Sequence, residues 1–184
     1  MPPVWDPAEA PVGDVGAALL MVDARIKEIH EPEDESEDGA EAERGELNRL
    51  FVASAGAEGV QELLDGTCTL LYMFMQWLRR THEHGDKDVI EYVVPPLVAT
   101  LRMMPRSVRP QTVPTMVALV VAAGTQVSPN GWRSQYGDWT PEEMNALEAT
   151  VFLVAEHINR IAGDHNFAVR MIAETLTRVE TDGD

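Results

Sequence analysis

The stretch GVQELLDGTCTLLYMFMQWLRRT, residues 59–81, decides the fold. Val60, Leu63, Thr67, Leu70, Phe74 and Trp77 recur at intervals of 3-4-3-4-3, and Leu64, Cys68, Leu71, Met75 and Leu78 form a second stripe beside them. Apolar positions at that period mark an α-helix, and two adjacent stripes mark one packed on more than one side. A third stripe, of Glu62, Asp65, Thr69 and Gln76, is polar and reads as the solvent face. This helix is expected at the centre of the molecule.

The same period recurs on either side of it. Upstream, Asp14 is a good N-cap for a helix whose Val15, Leu19, Val22, Ile26 and Ile29 are spaced 4-3-4-3. Downstream, Gly85 ends the central helix and Asp86 reads as the cap of another, running to about Met104. Pro95 and Pro96 remove two amide donors there, so that helix is expected to kink or split. Pro105, Pro110 and Pro114 punctuate a linker before an almost wholly apolar helix at 112–126, and Ser128-Pro-Asn-Gly-Trp132 is turn chemistry.

Thr140-Pro-Glu-Glu143 then announces a helix start. Thr140 is the N-cap, Pro141 fits the first position, Glu143 would complete a capping box, and Trp139 with Met144 would form a hydrophobic staple. Met144, Leu147, Val151, Val154, Ile158 and Ile161 repeat the 3-4-3-4-3 spacing, and Gly163-Asp164 close that helix and open a last one to about Val179. No stretch alternates with period two, so no sheet is expected. The prediction is an all-α protein: one antiparallel helical bundle of six or seven helices over residues 14–180. A Pro-rich extended arm precedes it at 1–13 and a short tail follows at 181–184.

Charge is unevenly spread. The formal net charge is -17, and residues 31–46 hold nine acids against one base, Arg44. Such a run cannot bury itself and reads as a mobile acidic loop after the first helix, with a short helix from about Ala42 carrying Leu47, Leu50 and Phe51. An acidic chain repels nucleic acid and anionic membranes, so neither is expected as a partner. The apolar runs fall well short of the ~20 residues that span a bilayer, and the first residues, Met1-Pro-Pro-Val-Trp-Asp, do not form a signal peptide. The single cysteine, Cys68, excludes an internal disulfide framework, fits a reducing cytoplasm and reads as a small buried hydrophobe.

Chemistry-bearing motifs are sparse. None of His30, His82, His84, His157 and His165 has an acidic residue three positions earlier, so no Glu-x-x-His metal centre and no cofactor is expected. His82 and His84 read as partners of a helix C-terminus, and His157 as an interfacial histidine. There is no Gly-x-Ser-x-Gly elbow and no phosphate loop, and the carboxylate pair Glu62 and Asp65 would need desolvation to act. No catalytic residue is assigned.

Two groups remain as binding candidates. Trp132, Arg133, Tyr136 and Trp139 concentrate the residue types that dominate recognition surfaces, or else plug the end of the bundle. Arg102, Arg106 and Arg109 either cap a helix end or dock an acidic segment, the chain's own 31–46 or a partner's. The leading expectation is a non-enzymatic helical interaction or scaffolding protein that self-associates. A second is a ligand-binding bundle or enzyme that holds a small apolar ligand among Met73, Met75, Trp77, Met103, Met104 and Met116. A third is an acidic inhibitor that mimics nucleic acid or another ligand of a cationic partner.

Overall fold

The computed structural model describes residues 6–30 and 56–183, apart from the side chain of Ala57, and of residues 37–55 only that a helix runs through them. The mobile loop expected at 31–46 and the short helix near Ala42 lie outside the fully described residues. Seven helices and no strand occur among the described residues: α1 (Val15–His30), α2 (Glu37–Thr81), α3 (Val89–Arg102), α4 (Val113–Gly124), α5 (Pro129–Arg133), α6 (Pro141–Ala162) and α7 (Phe167–Asp182). The all-α bundle is as the periodicity predicts. None of these helices is long and apolar enough to cross a membrane.

α2 and α6 form the centre. α2 packs on α1, α4, α5 and α6, while α6 touches α1, α2, α3, α4 and α7. The α2 stripe of Leu64, Cys68, Leu71, Met75 and Leu78 is buried along its whole length, whereas Val60, Leu63 and Trp77 of the other stripe are half-buried. On α6 the stripe is buried from Leu147 to Ile158 and emerges at Ile161; on α1 it is buried from Val15 to Ile26 and emerges at Ile29. Burying Leu70, Leu71, Phe74 and Leu78 contributes roughly 1.5–3 kcal/mol per side chain, which makes this segment the main anchor of the core.

The polar stripe of α2 is not a plain solvent face. Residues 10–14 lie across it. The Asp14 amide donates to the Glu62 carbonyl (2.8 Å) and the Thr69 hydroxyl to the Val12 carbonyl (2.7 Å). Further along, the Gln76 side chain donates to the Ala123 carbonyl at the end of α4 (2.8 Å). The arm can sit this close because Gly13 meets Gly66. Gly13 has φ +70°, and a Cβ on Gly66 would stand 2.2 Å from the Asp14 carbonyl oxygen. Polar residues at helical spacing thus receive a strand-like segment whose backbone needs partners.

Two helix starts differ from the sequence reading. Asp88, not Asp86, caps α3, in a full capping box with Glu91. At α6 the Thr140 hydroxyl accepts from the Glu143 amide, but the Glu143 carboxylate turns to Arg133 instead of closing the box. α3 is not split at Pro95–Pro96. The last helix runs to Asp182, so it takes in the first two residues of the expected tail.

Candidate functional site

The aromatic segment 130–139 is built around Arg133. This residue is 2% exposed and its side-chain hydrogen bonds are all to neighbouring protein groups. Its Nε (2.9 Å) and one terminal nitrogen (2.6 Å) donate to Glu143 Oε2, and its terminal nitrogens also reach the carbonyls of Gly137 (2.8 Å) and Asp138 (3.0 Å). The guanidinium lies 4.7 Å from the centre of the Trp139 ring. Three directions of a rigid fork are used up, so Arg133 fixes the loop and offers nothing to a partner. Trp132 and Trp139 are half-buried against the core, and only Tyr136, whose ring lies 5.0 Å from that of Trp132, is exposed. The segment plugs the bundle.

Arg102, Arg106 and Arg109 are all exposed and make no ion pair or hydrogen bond through their side chains among the described residues. Arg102 sits at the end of α3, whose inner face is Val89, Val93, Leu97 and Leu101. The outer face carries Pro95, Pro96, Ala99 and Met103, with Tyr92 half-buried at its edge. Met103 is 75% exposed. The two prolines leave the carbonyls of Glu91 and Tyr92 without their helical donors, which costs least where water can reach them. The result is an exposed apolar strip on α3 with Arg102 at its end and Arg106 and Arg109 in the linker that follows, all three without an ion pair among the described residues.

That ridge was legible only in part. The arginines stand out in the sequence; the apolar half does not, because Pro95, Pro96, Ala99 and Met103 look like interior residues. The signal that marks it is the proline pair itself, since freed carbonyls favour a solvent-facing side.

The other candidate chemistry is limited. Met75 and Met116 are fully buried, Met103 is exposed, and Met73, Trp77 and Met104 are half-buried. A depression of about 200 Å³ lies between the arm and α2, lined by Thr69, Tyr72, Ser128 and Asn130 among others. There Ser128 is committed as the N-cap of α5, accepting from the Gly131 amide (3.0 Å) and donating to Asn130 Oδ1 (2.5 Å), and the Asn130 amide donates to the Pro11 carbonyl (2.5 Å). Burial pushes the Asp65 carboxyl above its usual 3.8, against hydrogen bonds from Gln61 and Asn130 that pull it down. Its neighbour Glu62 is exposed, so the pair is not a desolvated couple. Burial raises the Cys68 thiol far above its ordinary range, which makes it inert.

His82 stacks on Tyr92 (4.2 Å, 12° between planes), and its ring centre lies 6.4 Å from that of His157 on α6. Burial, with Arg160 and His82 nearby, holds His157 below the usual histidine range. Among the described residues no three metal-ligating side chains converge. No family model, no curated protein and no solved structure matches this chain.

Proposed function

We propose that this is a non-enzymatic helical interaction protein that self-associates, with the outer face of α3 as its docking surface. The observation that carries the reading is the exposed ridge of Pro95, Pro96, Ala99 and Met103 beside three arginines that no carboxylate of the described residues engages. In a chain of net charge -17, three free arginines beside an apolar strip form a local inversion of sign. The complement is in the same chain: residues 31–46 carry nine acids. A second copy therefore brings both an apolar ridge and an acidic segment, and a reciprocal exchange about a two-fold axis satisfies both copies at once. A standard interface takes roughly 20–30 residues a side, more than the ridge alone supplies, so the acidic segment of the second copy completes it.

The test is the sedimentation-equilibrium mass of wild type, Met103→Glu and the triple reversal Arg102→Glu/Arg106→Glu/Arg109→Glu. Wild type should self-associate, both variants should weaken this at least about tenfold, and raising salt from 0.1 to about 0.5 M should weaken wild type as arginine–carboxylate pairs are screened. Association unchanged in both variants would place the interface elsewhere.

A further inference from the structure

The arm that crosses α2 is held by its backbone more than by its side chains. Two helices take two successive carbonyls of it: the Thr69 hydroxyl of α2 donates to Val12 (2.7 Å), and the Asn130 amide of α5 donates to Pro11 (2.5 Å). Pro11 and Val12 themselves stay exposed, Val12 to 60%. Asn130 is buried and held in place for this contact. The Ser128 hydroxyl donates to its Oδ1 (2.5 Å), and Ser128 in turn accepts from the Gly131 amide (3.0 Å). A grip on carbonyls selects backbone and not side chains, and Pro11 brings no amide that would need a partner. Extended proline-containing segments are recognised in this manner along aromatic-walled grooves.

The arm does not fill the groove it occupies. An open depression of about 200 Å³ remains beside it, walled by Thr69, Tyr72 and Pro129 on the body and by Pro7, Ala10 and Pro11 on the arm. Ala10 is the smallest arm residue along it and is only half-buried. A longer apolar side chain at that place has room to enter, and each methylene it buries tightens binding about fourfold. The two side-chain hydrogen bonds that hold the arm are worth roughly two- to tenfold each in an equilibrium constant. Its covalent tether adds an effective concentration on the order of millimolar. A competitor therefore needs what the arm lacks, an apolar anchor at the place of Ala10.

We infer that the groove between α2 and α5 is a binding site for an extended segment of a partner protein, with a bulky apolar residue directly before a proline, and that residues 6–13 are a displaceable strap over it. Thr69 and Asn130 bind two successive carbonyls of the partner segment, and its anchor enters the depression against Tyr72. The site is separate from the outer face of α3 and does not depend on it.

The experiment uses the full chain and a labelled synthetic peptide, DPAEAPVG, which repeats residues 6–13, together with the same peptide carrying Ala10→Leu. The leucine peptide is expected to bind at least about tenfold more tightly than the native one. It should also shift the amide NMR resonances of Val12 and Gly13 as the strap leaves. Asn130→Ala and Thr69→Val should each weaken its binding at least about threefold, and Thr177→Val, at an exposed position on α7, should leave it unchanged. Because Asn130→Ala can fail to fold, Ala10→Leu in the full chain serves as a second test. There the strap carries its own anchor, so the leucine peptide should bind at least about fivefold more weakly. Native and leucine peptides of equal affinity would overturn the inference. A native peptide that binds the more tightly would also overturn it, and would assign the groove to the arm of a second copy. Leucine-peptide binding that persists unchanged in the folded Thr69→Val and Ala10→Leu chains, or no binding at millimolar peptide, would overturn the site itself.

Discussion

Arg133 is the residue on which the loop 130–139 depends. Its two contacts to Glu143 Oε2 and two to backbone carbonyls converge in a residue that is 2% exposed. Arg133→Met should cost about 3 kcal/mol or more in denaturant unfolding, because it strands a carboxylate and two carbonyls. Arg133→Lys should fail to restore it, since an ammonium cannot span the fork; a wild-type midpoint for Arg133→Lys would contradict this assignment. Asp65 gives a test with a pH sign. Its carboxyl is raised in the folded protein, so the fold binds its proton more tightly than the unfolded chain. The resulting stability is present below 3.8 and lost as pH rises through the raised folded value. Asp65→Asn removes that dependence, so urea midpoints of variant and wild type should diverge in favour of the variant as pH rises from acid to neutral. A gap that stays constant would mean that Asp65 is not desolvated under the arm. Sequence alone places Asp65 on a polar stripe; that the arm covers it depends on Gly13 meeting Gly66, a long-range contact with no local pattern.

At the scale of elements, the stripes in α1, α2 and α6 predict which faces are buried because the 3.6-residue turn ties spacing to side. Helix starts are less legible where two acids compete. Asp86 and Asp88 both precede α3, yet only Asp88 has Glu91 three residues on, and the reciprocal box selects it. Asp88→Ala should lower stability by about 1 kcal/mol in thermal unfolding, with Asp86→Ala near neutral; the reverse order would restore the earlier cap. Thr140-Pro-Glu-Glu143 shows the opposite case. The motif marks the helix start correctly, but Glu143 has a stronger partner in Arg133, ten residues back, so the box stays half made. α3 tolerates Pro95 and Pro96 because the carbonyls they free belong to its outer face. That same exposure turns an interior-looking sequence into the exposed ridge proposed above as the docking surface.

For the whole molecule, the periodic stripes make the bundle readable, and the absence of period-two alternation excludes a sheet. Function is less readable because its carriers are relations between distant parts. The arginines at 102–109 gain meaning only from the exposed apolar face of α3 that precedes them, which no spacing announces. At this scale charge is the organising feature: the proposed self-association pairs the acidic 31–46 segment with a basic, apolar surface found among the described residues. The most direct test is the light-scattering mass of purified wild-type protein across a hundredfold range of concentration. Self-association predicts a mass that rises from 20.3 kDa toward twice that value as concentration increases. A mass fixed at 20.3 kDa throughout would contradict it.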